Sequence, residues 1–137
     1  MSESGTTQAV GSIAWVDLTV EHAEELRDFY KKVVGWKSSN VRMDDYDDYC
    51  MVEPSTGRTV AGVCHARGTN AGLPNTWLIY VMVENLDESV RSCLELGGSI
   101  VAGPKDMGKE GRYCVIRDPS GAPLALYQAA RKGDSAG

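Results

Sequence analysis

The stretch Arg67-Gly68-Thr69-Asn70-Ala71-Gly72-Leu73-Pro74-Asn75 separates two segments that carry the same pattern. It has no apolar periodicity, and its Gly, Asn and Pro content is typical of a connection. Before it lies Asp48-Tyr49-Cys50-Met51-Val52, and 64 positions later comes Arg112-Tyr113-Cys114-Val115-Ile116. The turn sequences Glu53-Pro54-Ser55-Thr56-Gly57 and Asp118-Pro119-Ser120-Gly121 end in glycines at the same spacing of 64. Several matches in one order at nearly one offset indicate a duplicated unit.

The length, net charge and composition of the 137-residue chain limit the number of domains and the classes of partner. This length suits one compact domain, so the two repeats are expected to share it. The net charge is −5 and no basic run is present, which makes nucleic acid and anionic membranes poor partners. No apolar stretch approaches the roughly 20 residues that span a bilayer, and residues 1–8 lack the apolar region of a signal peptide. A cytoplasmic location is therefore predicted, and Cys50, Cys64, Cys93 and Cys114 are expected to be reduced and buried.

The first repeat predicts a strand, a helix and three further strands. Alternating apolar residues predict a strand over 13–20 with one wholly apolar and one mixed face. Leu26, Phe29, Tyr30, Val33 and Val34 recur at helical spacing, so a helix is predicted over 22–34, with Gly35 at its end. The next three strands are predicted over 36–43, 46–53 and 58–66.

The second repeat has the same order of elements. A strand over 76–83 precedes a helix that Asn85 caps, with Glu88 at the third helical position and Gly97-Gly98 at the end. The predicted buried stripe of this helix consists of Leu86, Val90, Cys93 and Leu94. Strands are predicted over 99–102, 111–117 and 122–128. The predicted organisation is a flexible arm (1–11), one domain (12–128) and a flexible tail (129–137). Within the domain, module one is 12–66, the linker is 67–75 and module two is 76–128.

The predicted fold class is α+β, with two tandem βαβββ modules. A four-stranded sheet with one helix has only one face covered, so the other face must pack on its twin or enclose a ligand. We therefore expect a curved, half-open, eight-stranded, barrel-like sheet with its helices outside and a cavity within.

The duplication resembles the vicinal oxygen chelate superfamily, which includes glyoxalase I, bleomycin-resistance proteins and extradiol dioxygenases. The resemblance rests on Phe29-Tyr30, Gly35-Trp36 and the turn 118–121 before the last strand. It implies a small organic ligand in the cavity and a homodimer. It also implies four inward His, Gln or Glu metal ligands on the first, fourth, fifth and eighth strands.

Three of the four metal-ligand positions that the resemblance implies fall on residues that cannot ligate a metal. They correspond to Trp15, Leu78 and Ala125, and strand four, 60–65, has no carboxylate. A catalytic metal typically needs three protein ligands and an open position. No cofactor is therefore expected, and a divalent metal is possible only at a non-standard site built from His65, Asp17 or residues of a partner chain.

The mixed face of the first strand contains the residues that could bind a ligand. If Trp15 points inward, Asp17 and Thr19 do so as well, and the repeat places Leu78, Tyr80 and Met82 on the matching face. Such a cavity suits a flat or amphipathic ligand, although these side chains could instead fill a small barrel. Asp17 is a candidate general base or counter-ion because desolvation would raise its pKa. Alternatively it lies at a wet rim, or pairs with Arg112 or Arg117.

Further candidate ligand-binding residues lie toward the ends of strands. They are Tyr46, Tyr49, His65, Arg112 and Tyr127. The acidic run Asp44, Asp45, Asp47 and Asp48 is either a solvated hairpin or a cation-attracting mouth of the cavity. Arg112, if inward, would instead favour an anion.

Three functions agree with this sequence. The first is a module that binds a small organic molecule without the usual metal. The second is a metal-dependent lyase or isomerase of the glyoxalase I (lactoylglutathione lyase) type with a non-standard ligand set. The third is a metal-free enzyme that uses Asp17 as its base.

Overall fold

The computed structural model describes residues 9–130, apart from the side chain of Thr69. Most of the predicted arm, residues 1–8, and most of the predicted tail, residues 131–137, lie outside the described residues. Within residues 9–11, the Gly11 amide donates a hydrogen bond to the Met82 carbonyl at 2.8 Å.

The described chain contains eight strands and two α-helices in the predicted order. They are β1 (Ile13–Val20), α1 (Ala23–Val34), β2 (Lys37–Arg42), β3 (Asp47–Val52), β4 (Thr59–His65), β5 (Trp77–Met82), α2 (Leu86–Glu95), β6 (Ser99–Asp106), β7 (Arg112–Arg117) and β8 (Pro123–Gln128). Single 3-10 turns occur at Gly68–Asn70 and Gly108–Glu110. Every predicted helix and strand is present.

The strand order is β2-β3-β4-β1-β5-β8-β7-β6, so the sheet is not closed into a barrel. Within each module the first and last strands, β1 with β4 and β5 with β8, run parallel. The remaining pairs within the modules are antiparallel. These features confirm the predicted α+β class and the tandem βαβββ modules.

Strand β6 is longer than its sequence predicted. The prediction ended at Ala102, and the pair that follows, Gly103-Pro104, is typical of turns. In the structure the register with β7 shifts on both sides of Ala102, and Lys105 and Asp106 then pair with Tyr113 and Arg112. The strand therefore continues through a local irregularity to Asp106.

The chain divides into two compact units, residues 15–78 and residues 79–130 together with 9–14. Each unit packs one helix on one face of its strands. The core of the first unit consists of Leu18, Val20, Ala23, Tyr49, Met51, Ala61 and Val63. The core of the second consists of Leu86, Cys114, Ile116 and Leu126.

The helix ends match the sequence signals, but both predicted apolar stripes differ in part from the structure, and on α2 Leu94 is 54% exposed. Gly35 ends α1 with φ 90°, a left-handed conformation that favours glycine. Asn85 caps α2 by accepting a hydrogen bond from the Glu88 amide at 3.1 Å. On α1, however, Phe29 and Val33 are 53% and 64% exposed, because the sheet covers only the side of the helix that carries Ala23, Leu26 and Tyr30.

Candidate ligand-binding site

Trp15 and Asp17 lie on the face of module one that α1 does not cover. They alternate along β1 with Leu18, which packs in the core with Ala23 of α1. The Trp15 indole Nε1 donates a hydrogen bond to the Asp17 Oδ2 atom at 3.2 Å. The two candidate residues are therefore in direct contact, as their spacing of two along one strand allows.

Gly62 on β4 gives the Trp15 indole its place on the sheet. Asp17 and Gly62 are register partners, so both belong to the same face. A Cβ atom at Gly62 would lie 3.2 Å from both the Trp15 Cζ2 and the Asp17 Cβ atoms. The absent side chain thus lets the indole lie close to the backbone, and the result is a flat aromatic surface beside a carboxylate.

Two thiols share this face of module one. Cys50 is the register partner of Gly62, and Cys64 is that of Thr19. Burial, together with the negative charges of Asp17 and Asp48, raises the pKa of the Cys64 thiol. Burial also raises the pKa of Cys50. Both thiols are therefore protonated near neutral pH and are poor nucleophiles.

This burial predicts slow alkylation of Cys64 in the native protein. With iodoacetamide at pH 8, modification of Cys64 should be at least about tenfold slower than in the denatured chain, since the thiolate is the reacting form. The rate should increase as the pH is raised toward 10. Mass spectrometry of the Cys64 peptide over time measures both rates, and equal rates in the native and denatured protein would contradict the placement of this thiol.

Asp48 and His65 form a hydrogen-bonded pair that was not predicted from the sequence. The Asp48 Oδ1 atom accepts hydrogen bonds from the His65 backbone amide at 2.8 Å and from its ring Nδ1 at 3.2 Å. Asp48 is only 6% exposed, so its placement in a solvated hairpin is wrong for this residue. The alternation of side chains along β3 could have indicated this burial, because it puts Asp48 on the same face as Cys50.

Aromatic rings surround His65. The Tyr46 and Tyr49 ring centroids lie 5.4 Å and 6.0 Å from that of the imidazole. The Arg67 guanidinium lies over the Tyr46 ring at 4.2 Å. Three of the predicted ligand-binding residues, Tyr46, Tyr49 and His65, are thus brought together at the start of β3 and the end of β4.

The position of Tyr49 differs from the predicted mouth of a cavity. Tyr49 is 6% exposed and belongs to the core beneath α1, where the Arg27 guanidinium covers its ring at 4.6 Å. This burial raises the pKa of its hydroxyl. Adjacent strand residues point to opposite faces, so Asp48 and Tyr49 could not both have faced one cavity.

In module two, Tyr80, Tyr113 and Tyr127 share the face that α2 does not cover. Tyr113 pairs with Tyr127, and both alternate with the core residues Cys114 and Leu126. The Tyr80 and Tyr113 ring centroids are 6.2 Å apart, and the Lys105 ammonium lies 5.7 Å from the Tyr113 centroid. The Tyr127 hydroxyl donates to the Glu110 carbonyl, and burial raises its pKa.

Arg112 does not share that face of module two, so the prediction of a cationic pocket end at this residue is corrected. Its guanidinium forms a bidentate bond with the Asp87 carboxylate of α2, at 3.0 and 3.2 Å. The bond from Arg112 holds the pKa of Asp87 below its usual value. Arg112 neighbours Tyr113 on one strand, so the two side chains must point to opposite faces.

The residues at the expected metal positions do not fit a metal. Trp15 offers no oxygen or imidazole ligand, and the side chains of Leu78 and Ala125 are buried hydrocarbon, 3% and 0% exposed. Within residues 9–130, no three His, Cys, Asp or Glu side chains are grouped so that they could hold a metal ion. None of the helices in this part of the chain is long and apolar enough to cross a membrane.

A duplicated βαβββ unit, with a helix on one face of each half and polar or aromatic side chains on the other, defines a two-module α+β protein. The sequence model of the Glyoxalase/Bleomycin resistance protein/Dioxygenase superfamily matches residues 12–126. The chain belongs to this superfamily.

Two kinds of curated relative match the sequence. It is 28% identical over 120 residues to "Putative glyoxylase CFP32" of Mycobacterium bovis, covering 88% of this chain and 45% of that protein. It is 29% identical over 140 residues to "Anthracycline biosynthesis protein DauV" of Streptomyces sp. strain C5, covering 93% of this chain and 50% of that protein. The chain thus spans about half the length of the curated relatives it matches.

Solved structures share the fold. Methylmalonyl-CoA epimerase from Mycobacterium tuberculosis superposes with a TM-score of 0.51 at 16% identity, covering 93% of this chain and 94% of that one. The Streptomyces coelicolor methylmalonyl-CoA epimerase gives 0.51 at 13% identity, covering 90% and 100%. At these identities the likeness concerns the fold alone.

Proposed function

We propose that this protein binds a small organic molecule on the face of module one that carries Trp15 and Asp17. One observation carries the proposal: the Trp15 indole rests over Gly62 with its Nε1 atom bonded to Asp17. An indole held in this way presents a flat apolar surface at little entropic cost. The adjacent carboxylate gives the surface a charged end, so a ligand with a flat body and a cationic group fits best.

The names of two relatives support a polycyclic aromatic probe. The DauV protein and the DnrV protein of Streptomyces peucetius are both called anthracycline biosynthesis proteins. An anthracycline such as daunorubicin has a flat ring system and an amino sugar. Its rings would stack on Trp15 while its ammonium group pairs with Asp17. It is a probe of the ligand class, and the natural ligand can differ from it.

Binding in this proposal does not depend on a metal. The indole of Trp15 and the alkyl side chains of Leu78 and Ala125 offer no atom that could ligate a metal at the expected positions. Contacts with the ligand therefore come from stacking on an aromatic ring and from the Asp17 carboxylate.

A glyoxalase I type reaction is the second candidate, and the relative named as a glyoxylase favours it. It would need a non-standard metal site that includes His65 or Asp17, and it predicts metal-dependent turnover of the hemithioacetal of glutathione. A third possibility is metal-free catalysis with Asp17 as base, which predicts turnover that persists after chelation.

The proposal predicts that Asp17→Asn weakens binding of daunorubicin by roughly three- to tenfold, because the ligand loses a charged partner that is half-buried. Quenching of the daunorubicin fluorescence on titration with chelator-treated protein measures the affinity. Asp28→Asn removes an exposed carboxylate from α1 and is the matched control, which should bind like the parent. Equal affinity of the parent protein and both variants would show that Asp17 does not contribute to binding.

The homodimer and the cytoplasmic location that the sequence led us to expect stay predictions. The dimer is expected from the family resemblance alone.

A further inference from the structure

A groove of about 790 Å³ lies on the helix side of module two, away from the face of Tyr80 and Tyr127. Its floor consists of Val83, Ile116 and Leu126, the last two of which belong to the core beneath α2. Its wall is formed by Ser89, Ser92 and Cys93 of α2 and by Leu96, which follows the helix. The groove is thus built from the second compact unit alone, and its size is in the range of organic-ligand pockets.

Small residues on α2 open this groove. The helix caps His22 and Asn85 are 63 positions apart, and this spacing aligns Leu26 with Ser89 and Tyr30 with Cys93. In module one, Leu26 and Tyr30 pack against the core, and the Tyr30 ring contacts Trp36 and Trp77 at centroid distances of 6.2 and 5.2 Å. In module two the corresponding side chains are the small ones of Ser89 and Cys93. The space that Leu26 and Tyr30 fill in module one is therefore left open in module two.

The charged residues that line the groove in the described part of the chain are acidic. They are Glu84, Glu88 and Asp118, and none of the described lining residues is Lys or Arg. Hydrogen bonds from the Ser120 hydroxyl and from the backbone amides of Ser120 and Ala122 hold the pKa of Asp118 below its usual value, so it stays ionised. An apolar floor with an anionic rim attracts a molecule that has an apolar body and a positive charge.

We propose that this groove is a second binding site and that it takes an amphipathic organic cation. The apolar body lies on Val83, Ile116 and Leu126, and the cationic group lies at the acidic rim. The residues of this site differ from those of the Trp15 surface. A result that contradicts binding in the groove therefore leaves the proposal for the Trp15 surface untouched, and the reverse also holds.

Three probes with one alkyl chain and different head groups test the proposal. They are decyltrimethylammonium, 1-decanol and decanoate, each titrated below its micellar concentration into ¹⁵N-labelled protein. The expected result is a saturable shift of the Ser89, Ser92 and Cys93 amide signals with the cation, at least about threefold tighter than with the alcohol, while decanoate shows none. Equal affinity for the cation and the alcohol, or no shift of these amides with the cation, would overturn the proposal.

Two substitutions locate the cation within the groove. Ser89→Leu restores the side chain that module one has at Leu26, and it should abolish the shifts by filling the space. Glu88→Gln keeps the size of the side chain but removes its charge. It should weaken binding of the cation by roughly threefold and leave binding of the alcohol unchanged. Glu95→Gln makes the same chemical change on α2 at a residue that does not line the groove, and it should leave both affinities unchanged. Glu88→Gln and Glu95→Gln proteins that bind alike would contradict the role of the rim, even if Ser89→Leu failed to fold.

Discussion

Gly62→Val should reduce daunorubicin binding at least about tenfold, the largest effect that a single substitution on the Trp15 surface is expected to have. A Cβ atom at this position would already lie 3.2 Å from the Trp15 ring and from the Asp17 Cβ atom, and the valine methyl groups extend further into the same space. The indole must then leave its position, and its bond to Asp17 breaks. Aromatic stacking contributes on the order of 1 kcal/mol, and loss of the charged contact adds to it.

Gly72→Val is the matched control for this substitution. Gly72 lies in the linker, and apart from Gly72 and its two chain neighbours no described residue has a heavy atom within 4 Å of the position that its Cβ would take. Fluorescence titration of both variants with daunorubicin, alongside circular dichroism to confirm folding, measures the difference. A Gly62→Val protein that is folded and binds like the Gly72→Val protein would show that the Trp15 surface is not the binding site.

Leu86→Ala should lower the free energy of unfolding by about 2–5 kcal/mol, the range for removing a large aliphatic side chain from a core. Leu86 is fully buried at the first turn of α2 and packs with Cys114, Ile116 and Leu126. The truncated side chain would leave a cavity between helix and sheet. The Leu86 amide also donates to the Gln128 Oε1 atom at 2.7 Å, which ties the helix start to β8 and limits collapse into the cavity.

Leu96→Ala makes the same chemical change at the end of α2, where the side chain is 77% exposed. It should change the free energy of unfolding by no more than about 0.5 kcal/mol. Urea denaturation followed by circular dichroism gives both values. Similar losses in the two variants would contradict the packing of α2 on the second core.

The fold could be read from the sequence because its signals are local and occur twice. The alternation along β1 gave its bounds, Ile13 and Val20, without error. Asn85 and Gly35 have side-chain and backbone properties that mark helix ends, and both have those roles here. A repeat strengthens such signals, since each module supports the assignment in the other.

The candidate site was harder to predict because it depends on which face each strand residue occupies. Arg112 and Tyr113 are neighbours on β7, and only one of them can share the face of Tyr80. The alternation along a strand shows that Arg112 and Tyr113 point to opposite faces, but it does not determine which of them faces the helix. The pairing of Arg112 with Asp87 decides it, and that contact joins positions 25 apart in the sequence.

The Asp48–His65 pair shows the same limitation at longer range. Asp44 and Asp45, at the start of the acidic run, are exposed, and composition alone predicts the same for its last member, Asp48. The antiparallel pairing of β3 with β4 brings the end of one strand to the start of the other, and this buries Asp48 against His65. Tertiary pairing therefore decides the environment of this carboxylate.

The central claim, that this member of the superfamily binds its ligand without a metal, is tested most directly by elemental analysis combined with binding. The purified protein is incubated with zinc, nickel, cobalt and manganese and desalted, and its metal content and daunorubicin affinity are then compared with those of chelator-treated protein. We expect well below one retained metal per chain and the same daunorubicin affinity in every sample. Near-stoichiometric retained metal, together with metal-dependent turnover of the glutathione hemithioacetal, would contradict it and would establish the lyase instead.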